Sequence, residues 1–291
     1  MNRIAIVTDS NSGITQAEGD KLGITVLPMP FYIDGELYYE GVDISTDQFF
    51  KFQEEGADIT TSQPITGDLL TLWRSLLETH DSVLYIPMSS GLSGACSTAA
   101  ALSQDFGGRI QVVDNQRISL TMRSSVYDAI RLVDKGLSAG EIKGILEADG
   151  LNATIYIMVD TLKYLKKGGR ITPAAAAIGS ILRIKPVLQI QGDKLDSFAI
   201  ARSVSQAKSI MLEALKHDFT KRFGCSSDGE GMQLDIAYTG SPKAAEAYME
   251  DLKEAFPACA SSMVINPLSL SVSCHIGSGS LAVAASKKLS V

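Results

Sequence analysis

Short apolar runs alternate with longer amphipathic stretches from residue 3 to about 160, the pattern of a parallel sheet with helices on its faces. The runs predict strands over 3–8, 24–27, 82–87, 109–113 and 153–159. Three intervening helices are announced by a hydroxyl followed three residues on by an acid or amide: Thr15 with Glu18, Ser45 with Gln48, and Ser138 with Glu141. The rhythm breaks at Phe31–Tyr39, where Asp34-Gly35 between apolar runs predicts a β-hairpin flap.

Beyond residue 160 the order changes. A short helix, the turn Lys167-Gly-Gly-Arg170 and an Ala-rich helix begun by Thr172-Pro173 come first. Strand-like runs near 187–191 and 195–200 follow, then a helix over about 204–222, a strand near 233–238 and a helix opened by Ser241-Pro242. Apolar runs at 261–266 and 270–276 read as a hairpin-like pair, which makes this second sheet mixed or antiparallel. With 291 residues the expectation is two α/β domains. The first spans 1–160 with a hairpin insertion at about 28–58; the second spans 161–291, its last helix packing back on the interface.

Composition narrows the function. A formal net charge of -7 disfavours nucleic acid and anionic bilayers as nonspecific partners. The apolar start of the chain is too short for a signal peptide and is broken by Asp9, and no run approaches a membrane span, so a cytoplasmic protein without stable membrane insertion is expected. Cys96, Cys225, Cys259 and Cys274 show no C-x-x-C spacing and read as small buried apolar residues rather than zinc or redox ligands.

Candidate chemistry lies in four segments. Thr60-Thr-Ser-Gln-Pro64 runs into a helix with Thr66 as its expected cap, and taken alone it reads as turn chemistry. Pro87-Met-Ser-Ser-Gly-Leu-Ser-Gly-Ala95 feeds a helix near 93–104, so unpaired N–H groups and the Ser93 hydroxyl converge on a spot suited to a carboxylate or phosphate. It lacks the P-loop and Rossmann spacings, and alanine replaces the second glycine of a nucleophile elbow. The third, Leu162–Ile171, lets Arg170 face inward through two glycines; the fourth, Ser273–Ser280, puts His275 at a strand end and opens a last helix with glycines. His80 and His217 read as surface residues. Hydroxyls, helix N-termini and a few cations are equipment for holding an anionic head group, with no metal cluster or paired carboxylates for bond breaking and no cofactor implied.

Taken together, Thr8-Asp9-Ser10, Thr61-Ser-Gln-Pro64, Ser89-Ser-Gly-Leu-Ser-Gly94, Leu162–Ile171, Ile184-Lys-Pro186 and His275-Ile-Gly277 resemble the DegV family of bacterial fatty-acid-binding proteins over nearly the whole chain. The resemblance implies a carrier rather than an enzyme. A long-chain acid of the palmitate or oleate kind would lie in a tunnel between the domains and be presented to a partner kinase that makes acyl phosphate for phospholipid synthesis. Matched residue by residue, Thr61 and Ser93 hold the carboxylate with His275 close behind, and Arg170, Arg202, Ser62, Gly94 and Gly277 lie near the head group or the docking surface. The expected walls are the Ala174–Ile178 helix, the Ile155–Val159 strand and the Phe31 hairpin. Ser278 stands where the family commonly has proline, which should loosen the last helix start, while Asn115 and Ser203 also depart from common residues. Two rival readings stay open: an acyl hydrolase using Ser93 and His275, and a phosphotransfer module carrying phosphate on His275.

Overall fold

A computed structural model describes residues 3–178, 184–192 and 194–290. The chain begins β1 (Ile4–Asp9), α1 (Gln16–Leu22), β2 (Thr25–Leu27), β3 (Pro30–Ile33), β4 (Glu36–Tyr39), α2 (Thr46–Glu54) and β5 (Ile59–Thr61). It continues through α3 (Thr66–Thr79), β6 (Ser82–Ile86), α4 (Ala95–Ser103), β7 (Ile110–Val112), α5 (Ser119–Asp134), α6 (Ala139–Ala148) and β8 (Ala153–Met158). Next come α7 (Lys163–Gly168), α8 (Pro173–Ile178), β9 (Lys185–Ile190), β10 (Asp196–Ala201) and α9 (Val204–His217). The last elements are β11 (Met232–Tyr238), α10 (Lys243–Ala255), β12 (Ile265–Pro267), α11 (Leu270–Ile276) and β13 (Leu281–Lys287).

The first sheet is all parallel, in the order β2-β1-β6-β7. β6 is buried at every position, as a central parallel strand with both faces covered must be. Met122, Val126, Ile142 and Leu146 of α5 and α6 pack on one face; Leu69, Trp73, Cys96 and Ala99 of α3 and α4 pack on the other. The expected hairpin is present. It turns through Asp34 (φ 50°) and Gly35 (φ 87°), the paired left-handed residues of a type I′ turn. β5 adds to it as a third antiparallel strand, placing Thr61 opposite Phe31.

The second sheet is mixed, in the order β10-β9-β8-β13-β11-β12, with β11 and β12 its one parallel pair among the described strands. Three expectations change here. The strand at 153–159 forms but joins this sheet, antiparallel to β9 and β13, rather than extending the parallel one. Residues 270–276 are helix α11, capped by the Ser269 hydroxyl, because Leu270 and Cys274 lie one turn apart and bury together against the hairpin. The segment after Gly279 is strand β13, not a last helix; its alanines fit the crowded centre of the sheet, and Ser278 sits in the turn before it.

Helix starts follow the sequence signals closely. Ser45 and Ser138 form complete capping boxes with Gln48 and Glu141, and the Thr15 hydroxyl accepts the Glu18 N–H. Thr66 is the first helical residue of α3 rather than its cap, a position taken by Ile65 without a side-chain bond.

Candidate functional site

In a parallel sheet the chain leaves β1 for β2 on one side and later β6 for β7 on the other, so a crevice opens at the carboxyl ends of β1 and β6. Both rims are tied to one buried carboxylate. Asp9, at the end of β1, accepts the Asn11 N–H at 2.9 Å and the Met88 N–H, just beyond β6, at 3.0 Å. Burial pushes Asp9 up to about 6 against the pull of these bonds.

A cavity of about 350 Å³ lies over this crevice, roofed by the end of β5, the turn after α7, and α11. Met29, Met88, Leu92, Ile118, Leu165, Leu195, Val272 and Ile276 supply apolar lining. Thr61, Ser62, Ser93, Gly94, Arg170 and His275 all reach it, so six of the residues singled out from sequence meet around one space. The Thr61 hydroxyl lies 2.9 Å from His275 Nε2. Ser93 Oγ accepts the Ala95 N–H at 3.2 Å, which leaves its own proton free to donate. Gly94 caps α4 with no side chain in the way of the helix N-terminus.

His275 sits in the last turn of α11 and not at a strand end. Burial, reinforced by the charge of Arg170, holds its imidazole down at about 4, so the ring is neutral at physiological pH. Its Nδ1 side is covered by Gly168, the last residue of α7: a Cβ there would stand 2.1 Å from Nδ1. Arg170 Nη1 donates to the Gly168 carbonyl, folding the guanidinium back over the same turn. Gly277 lies outside the lining but makes the same kind of close approach, its φ of +80° and the Tyr164 ring leaving no room for a Cβ.

The loop carrying Ser93 rests on a buried ion pair. Ser89 N–H donates to the Arg117 carbonyl, and Arg117, 2% exposed, donates to the Asp149 carboxylate, the Asp149 and Gly150 carbonyls and Ser125 Oγ. The flanking Gln116 (φ 57°) and Ser119 (φ 54°) take left-handed conformations that cost about 1–2 kcal/mol each, and the bonds of Arg117 hold them there.

The sequence profile of the DegV family, described as an uncharacterised protein family, matches residues 3–288. The chain belongs to the DegV family. A DegV domain-containing protein of Deinococcus radiodurans is 35% identical over 222 residues, which cover 76% of this chain and 79% of that one. A DegV family protein from Thermus thermophilus, whose structure is described as fatty acid binding, superposes with a TM-score of 0.88 at 30% identity, over 98% of this chain and 99% of its own. DegV from Bacillus subtilis, described as a fatty acid binding protein, gives a TM-score of 0.84 at 28% identity, over 99% and 100%.

Other expected features of this DegV chain fall elsewhere. Arg202 is exposed between β10 and α9, its N–H bonded to Gln206, and does not line the cavity. Phe31 packs against Phe49 and Tyr38 behind α11, and Ile155, Ile157 and Val159 lie in the core beneath the lining, so neither forms a wall. The side chains of Ala174 and Ile178 lie outside the described residues. Cys96, Cys259 and Cys274 are buried thiols and Cys225 is half-buried. His217 is exposed and His80 half-buried. Among the described residues there is no metal-holding cluster and no helix long and apolar enough to cross a membrane.

Asn11 and Ser271 were missed from sequence. Asn11 Oδ1 accepts from the Ser269 and Ser271 hydroxyls, and its Nδ2 points to Met88 Sδ at 3.1 Å. The available signal for Asn11 was its place two residues past Asp9, at the carboxyl end of a predicted parallel strand. Ser271 had none, because its segment read as a strand.

Proposed function

We propose that the cavity holds one long-chain fatty acid with its carboxylate at Thr61 and Ser93, and that the protein carries this acid rather than transforming it. The observation that carries the reading is that two hydroxyls and a neutral imidazole line one cavity together with eight apolar side chains, Thr61 and His275 in direct contact. Burying an acyl chain of ~16 carbons at ~0.8 kcal/mol per CH₂ contributes on the order of 10 kcal/mol before the cost of immobilising the ligand. A desolvated carboxylate opposes this unless donors meet its oxygens. With the proton on His275 Nε2, the ring donates to Thr61 Oγ1, and the Thr61 hydroxyl is then free to donate to the ligand beside Ser93. Arg170 adds a positive charge to the lining, near enough to His275 to act on its ring.

The volume is within the range of small-molecule sites, about 300–1,000 Å³. The fatty acid binding of the Thermus and Bacillus relatives supports the ligand class. Presentation of the bound acid to a separate kinase, which moves a phosphoryl group to the carboxylate for phospholipid synthesis, extends the reading along the family resemblance. Acyl hydrolysis is less favoured: the His275 Nε2 that would serve as base engages Thr61, and Gly168 backbone, not an orienting acid, covers Nδ1. The same two contacts disfavour a phosphate on His275.

Denaturing extraction of the purified protein followed by mass spectrometry is expected to release a fatty acid; no lipid, together with no binding of added palmitate or oleate, removes the reading. Thr61→Ala with Ser93→Ala is expected to weaken binding by a few kcal/mol, at ~1.5–3 kcal/mol for each hydrogen bond to a charged group. An unchanged dissociation constant places the head group elsewhere.

A further inference from the structure

Helix α11 forms one side of the cavity; Asn11 and α7 hold it on one flank, and the inserted three-stranded unit holds it on the other. Ser271, Val272, His275 and Ile276 face the cavity, while Leu270 and Cys274 bury in a cluster with Phe31, Ile33, Phe49 and Phe50. Three polar contacts run from the insertion to the helix: Leu270 N–H to Glu40 Oε1 at 2.7 Å, Gln53 Nε2 to the Ser273 carbonyl at 3.1 Å, and Thr61 to His275. Of these three, only the first involves an acid. Glu40 Oε2 is sealed from solvent and has no hydrogen-bond partner, an arrangement that disfavours the ionised carboxyl.

We propose that Glu40 is a positioning residue through which solution pH regulates the ligand site: uncharged, it keeps α11 seated over the bound acid, and ionised, it loosens that hold. The inference rests on the fatty-acid reading of the cavity. The titratable groups facing Glu40 are Asp9 at the end of β1, whose charge opposes a second negative one, and the Cys274 thiol of α11, which burial keeps protonated and which offers no compensating positive charge. Burial first, and Asp9 in addition, push Glu40 up to about 7 against the pull of the Leu270 N–H. Lifting α11 away hydrates the carboxyl and returns it toward its ordinary 4.5. The seated state therefore binds the proton more tightly. Its advantage is complete below the ordinary value and is gone once the pH has risen through about 7.

The test compares wild type, Glu40→Gln and Glu40→Ala across this interval with two readouts: the Leu270 amide proton shift in lipid-free protein, and the release rate of oleate. In wild type the Leu270 shift is expected to step with a midpoint near the Glu40 value, while oleate release accelerates by about tenfold over the same range. Glu40→Gln, which keeps an oxygen for the Leu270 N–H but carries no charge, should show neither change and release slowly throughout. Glu40→Ala should release fast at every pH. Because the ligand's own ionisation is common to all three proteins, their differences isolate Glu40. A Leu270 step with pH-independent release overturns the coupling, and a step that persists in Glu40→Gln overturns the assignment to Glu40. If wild type binds no oleate at any pH, the fatty-acid reading falls and the coupling with it. In that case the Leu270 titration still decides whether Glu40 holds α11.

Discussion

Gly168→Ala is expected to abolish tight fatty-acid binding while leaving the protein folded. The added methyl would stand 2.1 Å from His275 Nδ1 and 2.7 Å from Cε1, separations that no side chain tolerates. Either the ring swings away, breaking its contact with Thr61, or α7 and α11 separate. Both outcomes strip the proposed carboxylate site of its alignment. A loss of at least tenfold in affinity, about 1.4 kcal/mol, is expected from displacement of a fluorescent fatty acid. Stability should change little by comparison, since residue 168 is half-buried at a helix end. Wild-type affinity in this variant would mean that His275 has no part in the site.

The largest effect on stability is expected from Asp149→Ala. This substitution leaves the Arg117 guanidinium buried without its counterion, and breaking such a pair from one side costs about 3–5 kcal/mol. Burial already lowers the Arg117 pKa in spite of the neighbouring Asp149 carboxylate, so the protein works against the charge even when it is paired. A fall of about 10 °C in Tm is the expected reading. The double variant Arg117→Met with Asp149→Leu removes both charges and should recover much of the loss. If the double variant is no more stable than Asp149→Ala, the pair contributes through its hydrogen bonds to the Ser89 loop rather than through charge compensation. Binding should weaken in Asp149→Ala as well, because the Arg117 carbonyl anchors the loop that carries Ser93.

Local signals settled much of this chain. The β6 run is apolar at nearly every position because a central parallel strand has no solvent face, and Asp34-Gly35 demands a type I′ turn whatever surrounds it. Capping boxes at Ser45 and Ser138 likewise need only residues three positions apart. Motif residues Thr61, Ser93, Arg170 and His275 were legible as candidates, since hydroxyls and cations at element ends are visible one segment at a time.

Tertiary structure decided what those segments meet. Leu-Ser-Val-Ser-Cys-His-Ile alternates like a strand, yet it is helical because the hairpin cluster buries residues 270 and 274 together. The segment after Gly277 and Gly279 reads as a last helix, yet it is a strand, and its small alanine side chains suit a place enclosed by β8 and β11. β8 itself was recognised as a strand but assigned to the wrong sheet, for its partners β9 and β13 come later in the chain. The sequence by itself determined the elements whose cause is a period, a cap or a turn, together with the kind of chemistry available. Only packing between segments as distant as Thr61 and His275, or Glu40 and Leu270, decided where that chemistry converges, because such contacts leave no trace in either segment alone.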